Sequence, residues 1–329
     1  MKHTALGRTG LQVSRICLGT MTFGNQCDEE ASRAILDHAL ELGINFIDTA
    51  DMYPASGPDS AGETERIIGR WMTGRRDNVV LATKFWAPMG PQRWQRGGGR
   101  RHIMEAVEGS LRRLGTDTID LYQIHFPDRA TPTDETLGAL DDLIRQGKVH
   151  YIGCSNFPAW MLARALGRSE VLRVARYDCV QPRYNLLFRS FERDLFELCV
   201  DDNVGVIAYN PLAGGLLTGK HRREAPEAGS RFTLAGGQGD RYKERYWNDR
   251  LHDAVDAIRP LAAEAGISMA QLAIAWVLEH PAITAPIVGA TRPAQLDDAA
   301  AAVTSGLDAG LKATLDELTD EFRLVDADR

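Results

Sequence analysis

Residues 44–53 read INFIDTADMY, residues 79–86 read VVLATKFW and residues 119–128 read IDLYQIHFPD. Each is a short apolar run that closes on a polar residue: Asp48 in the first, Lys84 in the second and His125 in the third, with Tyr53 five residues beyond Asp48. Apolar runs of this length, rich in β-branched side chains, are the pattern of strands buried on both faces of a parallel sheet. The polar residues then fall at the C-terminal ends of three strands. Together they supply a carboxylate, an ammonium, an imidazole and a phenol, a set suited to proton transfer to a carbonyl oxygen. Only six of the 38 lysine and arginine residues are lysines, so a lysine directly after the run from Val79 to Thr83 stands out, although a lysine at a strand end taken alone is also a common solvated tip.

Outward from these runs, strand-like and helix-like segments alternate. ALGRTGLQVSRICLG reads as a β-hairpin around Gly7 and Gly10, then a first strand ending at Gly19. Helices are expected near Glu29–Leu42, Glu63–Met72, Arg101–Leu114, Asp134–Arg145, Pro158–Gly167 and Phe191–Asp201. The strands between them are Asn45–Asp48, Val79–Lys84, Ile119–His125, His150–Ser155, Cys179–Gln181 and Gly205–Tyr209. A last strand, Ala285–Val288, precedes a helix from Pro293. Eight strands each followed by a helix make a (β/α)8 TIM barrel, with an N-terminal hairpin and extra C-terminal helices near 249–265, 269–278 and 311–318. The segments 87–99 and 210–247 read as long loops, the second polar and glycine-rich. No domain boundary or internal repeat interrupts the 329 residues, so one domain is expected over residues 1–329.

With 44% hydrophobic and 25% charged residues the composition is that of an ordinary globular protein. A net charge of −7 disfavours a nucleic-acid or anionic-membrane surface. No basic segment followed by an apolar one opens the chain and no apolar run is long enough to span a bilayer, so a cytoplasmic location is expected. The five cysteines, Cys17, Cys27, Cys154, Cys179 and Cys199, are odd in number and form no CxxC pair, so neither disulfides nor a metal site are expected.

The motifs GRTGLQVSRICLGTMTFG, GINFIDTADMY, LATKF, LYQIH, YIGCSNF, VQPRYNLL, IAYNPLAGGLLTGK and IVGATRPAQL, in this order from Leu6 to about Ala302, resemble the aldo-keto reductase family. The resemblance implies a barrel that binds NADP(H) without a Rossmann fold and reduces an aldehyde or ketone to the alcohol. No GxGxxG lies between a strand and a helix: Gly97, Gly98 and Gly99, like Gly236, Gly237 and Gly239, are placed in loops.

Carbonyl reduction needs a hydride at carbon and a proton at oxygen. A free phenol with a pKa near 10 is a poor donor at neutral pH, so Lys84 beside Tyr53 is expected to lower its pKa. Asp48 would hold Lys84 charged, and His125 would orient the carbonyl. The resemblance gives the same four residues these roles, with Tyr53 as general acid. It also implies cofactor contacts from Gly19, Thr20, Met21 and Asp48, and a nicotinamide site at Ser155, Asn156 and Gln181, with the ring stacked on Tyr209 beside Asn210. Ser155 and Asn156, taken singly, fit a helix N-cap equally well. Leu212, Gly214, Leu217, Lys220 and Arg231 would cover the pyrophosphate. Gly289, Thr291, Arg292, Gln295 and Asp298 would hold the adenosine 2′-phosphate and adenine, at a helix N-terminus that favours an anion. Two positions depart from the family pattern: Asn210 replaces a common serine, and Ala299 removes an amide often found next to adenine.

Met21, Phe23, Trp86 and Trp247 are expected around Tyr53, with Phe23 and Trp86 on the substrate wall, giving an aromatic pocket for a small-molecule carbonyl or alcohol. Two other functions use parts of the same pattern: a cofactor-sensing subunit that regulates another protein, and a Schiff-base aldolase or isomerase built on Lys84.

Overall fold

A computed structural model describes residues 1–55, 60–235 and 237–324. Strands β1 (His3–Ala5) and β2 (Gln12–Ser14) pair antiparallel as a hairpin. Eight parallel strands follow: β3 (Cys17–Gly19), β4 (Phe46–Asp48), β5 (Val80–Phe85), β6 (Ile119–Ile124), β7 (Val149–Ser155), β8 (Tyr177–Gln181), β9 (Gly205–Tyr209) and β10 (Ile283–Gly289). They neighbour one another in chain order and β10 closes on β3, so the expected barrel is what the chain forms.

Helices α1 (Glu29–Glu41), α2 (Glu63–Met72), α3 (Arg100–Leu114), α4 (Thr133–Arg145), α5 (Ala159–Leu172) and α6 (Leu195–Asp201) each follow a strand. Beyond β9 come α7 (Gln238–Tyr246), α8 (Asp249–Glu264) and α9 (Met269–Leu278), and beyond β10 come α10 (Asp297–Ser305) and α11 (Ala309–Leu318). Asp28 starts α1 by accepting from the Ala31 N–H at 2.8 Å, and Ser268 caps α9 in the same way. Among the described residues no single helix is long and apolar enough to cross a membrane. The five cysteines are free and buried.

Side chains alternate along each barrel strand, and the core follows that period of two. Phe46, Val80, Ala82, Leu121, Cys179 and Ile207 point into the barrel, while Ile47, Leu81, Tyr122 and Ile152 pack outward against the helices. The same parity carries Asp48, Lys84, Gln123, Gln181 and Tyr209 inward at the strands' C-terminal ends.

The hairpin seals the opposite end, where Leu6 and Val13, both fully buried, join the interior cluster. Gly7 turns there with φ +54°, and a Cβ on it would lie 2.6 Å from Gly205 N and 2.8 Å from Asn203 O. Only glycine fits so close an approach of two backbones.

Several boundaries differ from the sequence expectation. Strand β8 begins at Tyr177 and β10 spans Ile283–Gly289, because edge residues with mixed polarity still join the ladder. Helix α5 runs on to Leu172, and the helix expected from Phe191 splits into a 3-10 turn, Ser190–Arg193, and α6. The largest departure is α7, which contains Gly239 and lies within a segment read as irregular; Gly237 precedes it, and Gly236 is outside the described residues.

Candidate active site

The strand ends converge on one buried ion pair. Lys84 is fully buried and its Nζ donates to Asp48 Oδ2 at 2.5 Å and to the Thr49 carbonyl at 2.8 Å. The other oxygen of Asp48 accepts from Gln123 Nε2 at 3.1 Å and Gln181 Nε2 at 3.0 Å. A buried carboxylate is thereby satisfied on both oxygens, which a buried charge requires. Burial alone would lower the Lys84 pKa, but Asp48 and then Tyr53 outweigh it and the net direction is upward. The lysine stays charged.

Tyr53 lies in the loop after β4, with the Lys84 ammonium 5.3 Å from its ring centroid and the His125 ring 5.8 Å away, edge to face. The expected lowering of its pKa is not found. Burial raises it, and Lys84 offsets that only in part. His125 is pushed well below its ordinary value, first by burial and then by Lys84, so its imidazole is neutral at pH 7. Its Nδ1 is buried with no hydrogen-bond partner among the described residues.

A cavity of about 510 Å³ opens above this set. Asp48, Tyr53 and His125 line its inner end, and Gly19, Thr20 and Met21 one side. Ser155, Asn156 and Gln181 form a linked amide cluster on the wall: Asn156 Nδ2 donates to Ser155 Oγ at 3.0 Å and to the His125 carbonyl at 2.9 Å, and Ser155 Oγ donates to the Gln181 carbonyl at 2.9 Å. The Tyr209 hydroxyl donates to Asn156 Oδ1 at 2.8 Å, which fixes its ring beside the cluster. The N-cap alternative for Ser155 and Asn156 falls, because α5 starts after Pro158 and has no side-chain cap.

A profile of the Aldo/keto reductase family matches residues 15–320. The chain belongs to the aldo/keto reductase family. Over 326 residues it is 42% identical to the uncharacterized oxidoreductase YrpG of Bacillus subtilis (strain 168), covering 97% of this chain and 96% of that one. It is 35% identical over 307 residues to a probable voltage-gated potassium channel subunit beta of Arabidopsis thaliana, covering 91% and 90%. With versiconal hemiacetal acetate reductase of Aspergillus parasiticus it shares 34% over 334 residues, 92% of each chain. Aldo/keto reductases are oxidoreductases that act on small carbonyl compounds.

In this aldo/keto reductase the outer cavity is lined by Asn210, Leu212, Gly214, Lys220 and Arg231, and the rim by Gly289, Thr291, Arg292, Gln295 and Asp298. Gln295 Oε1 accepts from the Thr291 N–H at 2.7 Å and the Arg292 N–H at 3.2 Å, which shapes the turn between β10 and α10. Ala299 is fully buried.

Other expected residues lie elsewhere. Leu217, within the 3-10 turn Ala213–Thr218, is fully buried and does not line the cavity. Phe23, expected on the substrate wall, is also fully buried: its N–H bonds the Thr20 carbonyl and its carbonyl accepts from Thr64, which directs the ring into the core. Trp86 sits behind the wall, its ring 5.1 Å from Phe126, and it is Phe126 that lines the cavity. Trp247 packs on Phe232 and His252, away from Tyr53.

The sequence reading missed Gln123, although the inward parity of Leu121 marks it. It also missed the face of α7 that carries Gln238, Arg241, Tyr242 and Arg245 into the cavity.

Proposed function

We propose that this protein is an NADPH-dependent carbonyl reductase in which Tyr53 gives a proton to the carbonyl oxygen. One observation carries the proposal: a single cavity joins Tyr53 and His125 at its inner end to Arg292, Gln295 and Asp298 at its rim, with the amide cluster, Tyr209, Lys220 and Arg231 between. These groups fit a nicotinamide dinucleotide phosphate in chemistry and in order. Ser155, Asn156 and Gln181 suit a carboxamide that needs both donors and acceptors. Tyr209 offers an aromatic face, and Lys220, Arg231 and Arg292 offer cations for phosphates. When bound, the reduced nicotinamide supplies a hydride.

The residues of the chain do the rest. Burial keeps Tyr53 protonated at neutral pH, so it enters reduction as an acid. The phenolate left after donation faces the Lys84 ammonium, which stabilises it in a low-dielectric site. Asp48, with Gln123 and Gln181 on its second oxygen, fixes where that ammonium stands. Neutral His125 is suited to donate one N–H to the carbonyl oxygen and orient it. A Schiff-base role for Lys84 is disfavoured, since a lysine held protonated by a carboxylate 2.5 Å away is not the free amine that attack requires.

Loss of NADPH absorbance with a panel of aldehydes and ketones, repeated with NADH, tests the reading. Turnover with several carbonyl compounds and faster turnover with NADPH are expected; no turnover across the panel sinks it. The similarity to a potassium channel beta subunit favours a second reading, a cofactor-sensing partner of another protein. Tight NADPH binding with negligible turnover is its signature.

A further inference from the structure

Many arginines on this acidic chain's surface are paired. Arg70 meets Glu29 and Glu63, Arg168 meets Asp134, and Arg113 reaches the buried Glu65. Arg241 and Arg245 of α7 form no ion pair among the described residues, and both line the cavity. Glu244 lies one turn from Arg241, yet no ion pair forms between them. Instead the two guanidinium groups, four residues apart, share one helix face, an arrangement that costs stability unless an anion stands between them.

Their position is the substrate end. Gln238 on the same face donates to the Ala55 carbonyl, in the loop that carries Tyr53. Tyr242, between the two arginines in sequence, is within electrostatic reach of Tyr53, and Arg245 of Tyr209. Arg231 donates to the Tyr242 hydroxyl at 3.2 Å and is itself within electrostatic reach of Tyr53, while Lys220 and Arg292 line the cavity further out. The phosphates of the cofactor assigned above thus have their own cations, and Arg241 and Arg245 are left over.

Building on the reductase reading, we infer that Arg241 and Arg245 form an anion subsite that selects carbonyl substrates bearing a carboxylate or a phosphate. A guanidinium meeting either group gains charge-assisted, bidentate hydrogen bonds that a neutral substrate cannot make.

The test compares kcat/KM for matched aldehydes in two arms: 4-carboxybenzaldehyde against benzaldehyde, and glyceraldehyde 3-phosphate against glyceraldehyde. The charged member should win by about ten- to a hundredfold in at least one arm, and the winning arm names the anion. Arg241→Gln and Arg245→Gln should each cut that ratio at least about threefold, through KM rather than kcat. Calorimetric binding of benzoate and of benzamide to protein saturated with NADP+ gives a second readout free of turnover. Benzoate should bind more tightly in the parent, and the variants should lose the difference.

If no aldehyde is reduced, the reductase reading falls and the benzoate comparison alone decides the subsite. Equal kcat/KM for charged and neutral partners in both arms overturns the inference. So does a tenfold loss of NADPH affinity in either variant, because the arginines would then belong to the cofactor.

Discussion

The polar layer at the barrel's end and helix α7 face the same cavity, but different physics builds them. Asp48, Lys84, Gln123 and Gln181 sit on hydrogen-bonded strands, each two residues beyond an apolar neighbour of the same parity, and each satisfies another. Helix α7 stands on a connection between β9 and β10, and two of its cavity-facing side chains have no ion-pair partner among the described residues. A set fixed by ladder register suits proton transfer, which needs tight geometry. A helix on a long connection can change its residues without disturbing that geometry, which suits selection among substrates.

The sharpest way to break this contrast is Tyr53→Phe. Removing the acid should lower carbonyl reduction by about 10²- to 10⁴-fold while NADPH affinity, read by fluorescence titration, stays close to the parent's. Retention of most of the turnover would take the proton transfer away from the barrel layer.

Lys84→Met comes next. It leaves the Asp48 carboxylate buried with amide donors alone, so activity should fall steeply and stability by about 3 to 5 kcal/mol in urea unfolding. In the parent, Tyr53 is held up and His125 down, so reduction should be nearly flat between about pH 6 and pH 9. A residual Lys84→Met activity with the parent's kcat would remove the lysine from the mechanism.

Arg292→Ala moves the test to the rim. NADPH should weaken by about ten- to a hundredfold and NADH hardly at all, because only NADPH carries the 2′-phosphate. Salt should erode the same preference in the parent, since the contact is exposed. Equal losses for both nucleotides would show that Arg292 does not read the phosphate.

The smallest effect is expected behind the layer, at Asp51. This fully buried carboxyl is pushed well above its ordinary range by burial and then by Glu65. A carboxyl whose folded pKa lies above its unfolded value binds its proton more tightly in the folded state. Its contribution to stability therefore falls as pH rises from about 4 toward the folded pKa. Asp51→Asn should flatten that slope, read by urea unfolding across the acidic-to-neutral range; an unchanged slope would show that Asp51 does not titrate abnormally.

The same contrast explains what could be read from the sequence. Strand parity is visible in a string of letters, so Asp48, Lys84 and His125 stood out, and the eightfold alternation gave the barrel. Gln123 is equally legible by the same rule, two residues beyond the inward Leu121. In α7, QGDRYKERY, only Tyr242 and Tyr246 mark an apolar face, so it carries too little helical periodicity to be told from a polar loop. The aromatic residues fared worst. Phe23 and Trp247 lie in irregular backbone, where no period says which way a ring turns, and both went to the core side.

Gly7 has a consequence for the order in which the molecule is made. The hairpin leaves the ribosome before the barrel strands, yet its turn packs on Asp178, Asn203 and Gly205, and Leu6 and Val13 are buried only against strands from the whole barrel. During synthesis those apolar side chains have nowhere to go until β9 has emerged, and β3 waits longer still for β10. Folding therefore closes late and through distant contacts, a slow class of reaction in which the nascent hairpin is the part most in need of a chaperone's shelter.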